Sequence, residues 1–379
     1  MKRIYFDYAA TTPTDPQVIE AMQPFFFEKF GNASSPHTIG QEASRALEEA
    51  RDITARMIGA KSDEIVFNSG ATEGTNHVIF GLTRNLKERG RHIIISPVEH
   101  HCVLESIEAL KQDGFKITYL KIDEKGLVDP QDVKKAITAE TILVAVMHAS
   151  NEIGTIEPIA EIGKMTREQK IPFLVDTVQT VGHLPVNVNE LHADFVTMSA
   201  HKFYGPKGVG ALYIRKGMKL PRFILGGDQE KNRRASTQNV AGAVGMAKAI
   251  ELCERQMNEE SKFQSQLRDR LIQEIPKLIP GVKVNGDFNK RLPNNAHFSF
   301  EKVSGESLLM SLDMIGICAS MGSACTSGAI DPSHVLRAIG LSDELALGSL
   351  RLTIGRLTTT EEVDILLGQL PKIIKTLRI

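Results

Sequence analysis

Cys325 lies in a segment whose composition presents a thiol rather than packing it. Between residues 319 and 329 every residue except Met321 and the cysteine itself is small, and Gly322 and Gly328 bracket the polar part. A free cysteine usually serves as a small buried hydrophobe, but polar loops bracketed by glycines rarely lie inside a core. We therefore predict a thiol that acts as a nucleophile or as a carrier, on a loop that can move its tip.

A second set of reactive side chains follows two predicted strands. Asp176 comes directly after an apolar run, and Gln179 follows three positions later. Ser199, His201 and Lys202 leave the next apolar run in quick succession. The aspartate is equally compatible with a helix cap, and most lysines are solvated. Because ligands of open parallel sheets bind beyond the carboxyl ends of the strands, however, this combination indicates a cofactor site.

The sequence NSGATE at 68–73 follows a third strand and begins a helix. Its backbone N–H groups and hydroxyls are placed where a phosphate can bind, although an ordinary helix start is the alternative. The stretch lacks the lysine and spacing of a nucleoside triphosphate loop. A phosphate cradle, a lysine amine and an acidic strand end are what pyridoxal phosphate requires. The lysine forms a Schiff base with this cofactor, and the aspartate keeps its pyridinium nitrogen protonated.

The elements that must position these residues follow an α/β pattern from about residue 65 to 214. Short β-branched runs alternate with amphipathic stretches, which predicts βα units on a mainly parallel sheet. Helices are predicted over 101–113, 130–138 and 158–170. The seven predicted strands of the sheet are 64–67, 92–96, 116–120, 142–146, 172–175, 195–198 and 210–214.

The chain changes character after a long helical pattern that runs from Thr237 toward Leu271. The region near 295–301, a helix over 306–314, the Cys325 loop, the stretch 350–354 and a terminal helix together predict a smaller α+β domain. Thr359 and Glu362 provide that last helix with a capping box. We predict a large domain over 16–256, and a small domain formed by 1–15 and 257–379 that carries the Cys325 loop.

Composition excludes several classes of function. The 379 residues include 45 basic and 46 acidic side chains, and this balance leaves no electrostatic footprint for nucleic acid or a membrane surface. No segment is apolar for long enough to span a bilayer or to act as a signal peptide. The four cysteines lack CxxC spacing, so neither a disulfide framework nor a zinc site is expected. These observations predict a cytoplasmic protein with no bound metal.

Seven stretches, in the order in which the family carries them, resemble the motifs of cysteine desulfurases. They are SGATEGTN at 69–76, EHHCVL at 99–104, NEIG at 151–154, DTVQ at 176–179, SAHKFYGPKGVGAL at 199–212, RRASTQN at 233–239 and GSACTSGAIDPSHVLRAIG at 322–340. The resemblance covers nearly the whole chain, and the GSACTSG loop indicates the NifS/IscS-like group. It implies class V of the fold type I pyridoxal-phosphate enzymes, a homodimer with shared sites, and L-cysteine as substrate.

The resemblance also implies how the cofactor ring is held. Lys202 would form the Schiff base and carry the Cα proton. Asp176 would pair with the pyridine nitrogen, and Gln179 would hydrogen-bond the phenolic oxygen. His100 would stack on the ring face, assist proton transfers and take the proton of the Cys325 thiol.

The remaining implied contacts concern the phosphate and the substrate. The phosphate would be held by Thr72, the adjacent Ala71 amide, Ser199 and His201, and by Thr237 from the other subunit. Asn151, beside the cofactor, and Arg351 would bind the substrate carboxylate, since the guanidinium fork suits it. Two positions depart from the family pattern next to Thr237. Gln229 stands where many relatives carry His, and Ser236 where they usually carry Gly.

The implied reaction converts L-cysteine to L-alanine and leaves a persulfide on Cys325. The persulfide would pass to a sulfur-acceptor protein in iron–sulfur cluster assembly, tRNA thiolation or cofactor synthesis. Three alternatives stay open: a selenocysteine lyase or an aminotransferase of the same fold, and a sulfur carrier without catalysis. The Asp176, His201 and Lys202 set argues against the carrier, which needs no Schiff-base lysine.

Overall fold

The computed structural model of the protein describes residues 3–322 and 331–378, so the predicted Cys325 loop lies outside the described residues. The chain begins with strand β1 (Ile4–Tyr5), followed by helices α1 (Pro16–Met22), α2 (Pro24–Phe27) and α3 (Thr38–Met57). α1 begins where it does because the Asp15 side chain accepts the Gln17 N–H and Pro16 occupies the first helical turn.

A seven-stranded sheet forms the centre of the large domain. Its strands are β2 (Ile65–Asn68), β3 (His92–Ile95), β4 (Lys116–Tyr119), β5 (Thr141–Ala145), β6 (Phe173–Asp176), β7 (Phe195–Ser199) and β8 (Gly210–Ile214), in the spatial order β2-β8-β7-β6-β5-β3-β4. The pairs among β3 to β7 are parallel, whereas β8 runs antiparallel to both of its neighbours. The predicted sheet is confirmed, with each strand within one residue of its expected bounds.

Helices cover both faces of this sheet. They include α4 (Ala71–Leu86), α5 (His101–Gln112), α6 (Pro130–Ala136) and α7 (Ile159–Glu168). Successive strand residues pack on opposite sides, because side chains alternate along a strand. Ile94 and Val144 join one apolar cluster, and Ile93 and Leu143 join the other. A sheet buried on both faces has room for reactive polar groups only where its strands end.

The second part of the chain begins with α8 (Gln229–Asn232) and the 39-residue helix α9 (Val240–Leu278). It continues through β9 (Val282–Val284), β10 (Asn295–Phe300), α10 (Gly305–Met314), β11 (Ile317–Cys318), α11 (His334–Ala338), α12 (Asp343–Leu347), β12 (Ser349–Thr353) and α13 (Thr360–Leu377). β12, β10 and β9 form an antiparallel sheet, and β1 pairs with β11. The capping box of Thr359 and Glu362 at α13 is confirmed.

Helix α9 joins two hydrophobic cores. Its first half, including Met246 and Ile250, packs in the core of the large sheet. Its second half, including Leu271 and Ile275, packs with β10, β12 and α13. Phe6 belongs to this second core, so the N-terminal strand contributes to the smaller unit. The domain boundary near residue 256 stays a prediction. Across residues 3–322 and 331–378, no helix is long and apolar enough to cross a membrane.

Candidate active site

A cavity of about 600 Å³ lies beyond the carboxyl ends of β5, β6 and β7. Ten of the predicted site residues line it: Ala71, Thr72, His100, Asn151, Asp176, Gln179, Ser199, His201, Lys202 and Arg351. Thr237 is exposed and does not line the cavity. Cys325 is outside the described residues, but Gly322, three positions before it, also lines the cavity. The fold therefore gathers predicted site residues up to 280 positions apart in sequence into one site.

The N-terminus of α4 forms one end of this cavity. Gly70, the residue before the helix, has φ +149°, and its N–H donates to Asn68 Oδ1 at 3.0 Å. A Cβ on Gly210 would lie 2.7 Å from the Gly70 Cα, so glycine allows the end of β8 to approach the helix start. Free N–H groups and the positive end of a 16-residue helix dipole favour an anion here.

A carboxylate that the sequence analysis did not single out lies beside this helix start. Glu73 accepts the Ser69 N–H at 2.9 Å and pairs with Arg234 at 2.9 Å. Burial disfavours its ionisation, but the contacts with Arg234 and Ser69 outweigh burial and hold the pKa of Glu73 below its ordinary value. The negative charge at this end of the cavity is therefore compensated before any phosphate binds.

The N-terminal segment holds Lys202 in place. Lys202 Nζ donates to the carbonyl oxygens of Ala9 at 2.6 Å and Ala10 at 2.8 Å. Gln179 Nε2 donates to the same Ala9 oxygen at 3.1 Å, and Thr11 Oγ1 lies 3.1 Å from His201 Nδ1. Sequence reasoning missed this segment, because small residues near a terminus carry no local signal of a site. Its carbonyls and hydroxyl orient three of the predicted cofactor ligands.

Asp176 ends β6 with its side chain in the buried part of the cavity. Its Oδ1 accepts the Val178 N–H at 2.8 Å. Burial raises the pKa of Asp176 from 3.8 to about 6, against the opposing effects of the Val178 N–H and the Lys202 charge. A carboxylate that is costly to ionise in the bare cavity gains most from a cationic partner such as a pyridinium nitrogen.

The hydrogen bonds of His100 assign its proton. His100 precedes α5, and its Nδ1 accepts the Cys102 N–H at 3.1 Å. Burial, followed by the charge of Lys202, lowers the pKa of His100 to about 4. The ring is therefore neutral at pH 7, and its proton resides on Nε2 because Nδ1 is the acceptor. Nε2 is therefore the donor atom of the ring, and the expected role of His100 toward the Cys325 thiol stays a prediction.

Arg351 reaches the cavity from β12. Its Nη2 pairs with Asp7 Oδ1 at 2.8 Å, and its Nη1 donates to the Asn151 carbonyl oxygen at 3.0 Å. The side chain is 2% exposed, and its Nε has no hydrogen-bond partner in the described part of the chain. A buried guanidinium with a donor left over is equipped to bind a carboxylate.

The segment that carries Thr237 is fixed by buried charge. Glu230 forms a two-bond ion pair with Arg51 at 2.6 and 2.9 Å, and also accepts the Phe67 N–H at 2.8 Å. The two positions that depart from the family pattern contact each other, since Gln229 Oε1 accepts the Ser236 N–H at 3.2 Å. Ser236 has φ +97°, in a region that favours glycine.

The three described cysteines are poor nucleophiles at neutral pH. Burial raises the pKa of Cys102, in the cavity wall, and of Cys253 to about 12. Burial and Asp313 also raise the pKa of Cys318. No group of three or more His, Cys, Asp or Glu side chains within residues 3–322 and 331–378 is placed to hold a metal ion. These raised pKa values leave Cys325 as the cysteine that is expected to act as the nucleophile.

These residues fit pyridoxal phosphate. The α4 N-terminus suits the phosphate, Asp176 suits the ring nitrogen, and Lys202 supplies the amine. The unpaired Nε of Arg351 leaves a donor for a substrate carboxylate.

We expect the Asp176→Asn variant to be more stable than the wild type when both are freed of cofactor. The folded pKa of about 6 exceeds the ordinary 3.8, so ionised Asp176 opposes folding above that range. At about 1.4 kcal/mol per pKa unit, the gain in unfolding free energy at pH 7.5 is about 3 kcal/mol. It should shrink as pH falls from 6 to 4, where both side chains are neutral. Urea unfolding of both proteins at pH 7.5 and at pH 4 measures this gain. A variant that is less stable than the wild type at pH 7.5 would contradict the burial argument.

The similarity to known proteins extends along nearly the whole chain. Residues 4–366 match the family model described as aminotransferase class-V. The chain is 55% identical over 379 residues to cysteine desulfurase IscS of Dictyoglomus turgidum, covering 100% of this chain and 96% of that protein. It is 47% identical over 377 residues to cysteine desulfurase IscS of Methanosarcina thermophila, covering 100% of this chain and 93% of that protein.

Solved structures show the same similarity. A NifS-like protein superimposes with a TM-score of 0.93 at 37% identity, covering 99% of this chain and 100% of that one. The structure of SspA in complex with cysteine superimposes with a TM-score of 0.83 at 35% identity, covering 93% and 98% of the two chains.

Proposed function

Because the chain belongs to the aminotransferase class-V family and is a pyridoxal-phosphate-dependent cysteine desulfurase, we propose that Lys202 and Cys325 divide the reaction between them. Lys202 holds the cofactor and moves the Cα proton of L-cysteine, and Cys325 takes the sulfur. The observation that carries this proposal is the shared cavity, which Lys202, Asp176 and Arg351 line together with Gly322, three positions before Cys325.

Three side chains support the binding of L-cysteine and its cofactor. Arg351, with its free Nε, binds the substrate carboxylate, and Asn151 fixes Arg351 through its carbonyl oxygen. Asp176 would hold the ring nitrogen of the cofactor as an ionised carboxylate. When bound, pyridoxal phosphate joins covalently to an amine and draws electron density from the carbon that loses its proton. Ala71, Thr72, Ser199 and His201 hold the phosphate at the α4 N-terminus.

Proton transfers are assigned to two groups. With the cofactor bound, Lys202 would accept the Cα proton of L-cysteine and would return it to the same carbon when alanine forms. His100 passes the proton of the Cys325 thiol to the substrate Cβ as the C–S bond breaks: the ring donates its Nε2 proton and regains the thiol proton, so it is neutral before and after the step. The Cys325 sulfur forms an S–S bond with the substrate sulfur as the Cβ–S bond breaks. The balance is one thiol and L-cysteine converted to one persulfide and L-alanine, without an external oxidant or reductant.

Product analysis tests this function directly. The holoenzyme is incubated with L-cysteine and a reductant, and alanine and sulfide are measured with and without a keto acid. Equal amounts of alanine and sulfide, independent of the keto acid, are expected. Alanine that requires an amino acceptor would indicate transamination instead. Strong preference for selenocysteine over cysteine in a parallel assay would favour the lyase alternative.

We expect Arg351→Lys to weaken L-cysteine binding by about 10-fold to 100-fold with a smaller change in kcat. Lysine keeps the charge but has no counterpart of the Nε–H group that Arg351 leaves unpaired for the carboxylate. Steady-state KM and the spectral titration of the holoenzyme with L-cysteine measure the effect. Cysteamine, which has the amine and the thiol but no carboxylate, serves as the matched ligand. A variant that loses cysteamine binding as severely would show that Arg351 acts on the fold and not on the carboxylate.

We further propose a homodimer in which Thr237 of one subunit contacts the phosphate in the other. Thr237 is exposed and outside its own cavity, at the end of a segment held by the Glu230–Arg51 and Arg234–Glu73 ion pairs. These ion pairs keep the segment ordered within its own subunit, as a segment that contacts the other subunit's site requires.

Mixed dimers test the shared site. Lys202→Ala and Thr237→Ala homodimers should each be impaired, since every site carries a defect. Unfolding and refolding them together should restore about a quarter of the wild-type sites, because random pairing makes half the dimers mixed and each mixed dimer has one intact site. Mixing Lys202→Ala with Asp176→Asn is the control. Both residues serve their own subunit's site, so that mixture should remain inactive. No recovery with Thr237→Ala would overturn the shared site.

The persulfide sulfur is proposed to pass to an acceptor protein in the cytoplasm. Iron–sulfur cluster assembly, tRNA thiolation and cofactor synthesis all use such acceptors. Loading the enzyme with labelled L-cysteine, capturing bound proteins and following the label into them identifies the acceptor. Label that stays on the enzyme with every captured protein would contradict a transfer role for that set.

A further inference from the structure

Glu152 is a buried carboxylate that no step above uses. Its side chain lies in the connection between β5 and α7, and the residue is 1% exposed. The Asn295 side chain donates to its carbonyl oxygen at 3.0 Å, which fixes its backbone against β10. Burial raises the pKa of Glu152, while Ser333, Arg351 and His101 act in the opposite direction. Burying a carboxylate near Arg351 costs free energy of folding, so this position calls for a functional explanation.

Both ends of the segment that includes Cys325 lie against this carboxylate. Ser333 Oγ donates to Glu152 Oε2 at 2.5 Å. On the other side, a Cβ built on Gly322 would lie 2.7 Å from the same Oε2 atom, and Gly322 has φ +137°. The same oxygen atom therefore accepts from Ser333 and leaves no room for a side chain at position 322, eleven positions earlier.

Each end has a second anchor in a different element. Before Gly322, the Met321 carbonyl oxygen accepts from Ser349 Oγ at 2.7 Å and from His297 Nε2 at 3.3 Å. After Ser333, His334 Nε2 lies 3.0 Å from the Glu99 carbonyl oxygen, and its ring packs 5.0 Å from that of His101. The upstream anchors belong to the small sheet, and the downstream anchors belong to the large domain beside His100. Glu152 is the group that contacts both ends.

We propose that Glu152 is a positioning residue for sulfur transfer, which joins the two ends of the Cys325 segment at the wall of the active-site cavity. The proposal rests on the proposed role of Cys325. With Gly322 and Ser333 both placed against one carboxylate, the described fold sets where the chain on either side of Cys325 lies relative to the cavity. Because a small misplacement of a reacting group slows a reaction steeply, the placement of these two residues affects the step in which Cys325 takes the sulfur. Glu152 itself touches neither cofactor nor substrate in this role.

Single-turnover kinetics of the holoenzyme test the proposal. Glu152→Ala should lower the rate of Cys325 persulfide formation about tenfold, while the spectral dissociation constant for L-cysteine changes less than twofold. Glu152→Gln keeps an oxygen that accepts from Ser333 Oγ and should recover most of the rate. A merely structural role would change cofactor content and L-cysteine binding together with the rate.

Two serines provide a matched pair of variants that leave the buried carboxylate in place. Ser333 caps α11 and contacts Glu152, whereas Ser342 caps the equally short α12 through the Leu345 N–H. Ser333→Ala should slow persulfide formation at least threefold, and Ser342→Ala should leave it unchanged. This pair decides the question even if Glu152→Ala does not fold.

Wild-type persulfide rates in Glu152→Ala or Ser333→Ala would overturn the proposal, as would a Glu152→Gln defect equal to that of Glu152→Ala. Failure of the underlying function has a different signature. In that case Cys325→Ala would retain turnover, whatever the Glu152 variants do.

Discussion

Replacing Cys325 with alanine is expected to abolish sulfide release and persulfide formation while the protein still binds cofactor and L-cysteine. The substrate sulfur needs a thiolate acceptor, and removing the nucleophile of a covalent mechanism costs about 10³-fold or more. The other described thiols do not substitute for it. Cys102 lines the same cavity, but burial raises its pKa to about 12. It is therefore a protonated thiol at the pH of the reaction.

The measurement combines three readouts on one preparation. Sulfide release with a reductant reports turnover, mass spectrometry of the 323–330 region reports the persulfide, and the spectral response to L-cysteine reports binding. Cys318→Ala, which removes a partly exposed thiol seven positions earlier, is the matched control and should keep wild-type turnover. A Cys325→Ala variant with full turnover in the presence of a reductant would show that another group receives the sulfur.

Replacing Lys202 with alanine is expected to remove the covalent attachment of the cofactor and to lower turnover by about 10³-fold or more. The loss combines two functions, since the amine both holds the cofactor and moves the Cα proton. Lys202 Nζ lies within 2.8 Å of two backbone carbonyl oxygens, so its ammonium form is well solvated by the protein in the cofactor-free cavity. The variant should remain folded, because alanine leaves those carbonyls open to water.

Borohydride reduction followed by peptide mapping separates this prediction from general damage. In the wild type, the pyridoxyl group fixed by reduction should be found on Lys202. In Lys202→Ala, the corresponding peptide should carry no pyridoxyl label. Lys207→Ala supplies a control in the same cavity wall and should retain the label on Lys202. Label on a different lysine in the wild type would move the cofactor attachment elsewhere. Added methylamine that restores part of the activity of Lys202→Ala would support the proton-transfer role.

The central sheet and the strand-end site residues could be predicted from local sequence. Strands such as Phe173–Asp176 are recognisable in the sequence as short apolar runs. The residue that ends such a run must lie at one edge of the sheet. Local pattern is therefore sufficient to place Asp176, Ser199 and Lys202 near one another. The resemblance to cysteine desulfurases added His100, Asn151 and Arg351, and all three line the same cavity.

What the sequence alone determined about this protein is the set of reactive groups and the class of fold. The partners of those groups were decided by tertiary structure. Asp7 pairs with Arg351 across 344 positions, Ser333 donates a hydrogen bond to Glu152 across 181 positions, and the Ala9 carbonyl oxygen accepts one from Lys202 across 193 positions. The tautomer of His100 and the raised pKa of Asp176 likewise depend on burial by distant elements. Strand periodicity is a local property of the chain, whereas desolvation and long-range contacts exist only once separate surfaces have met.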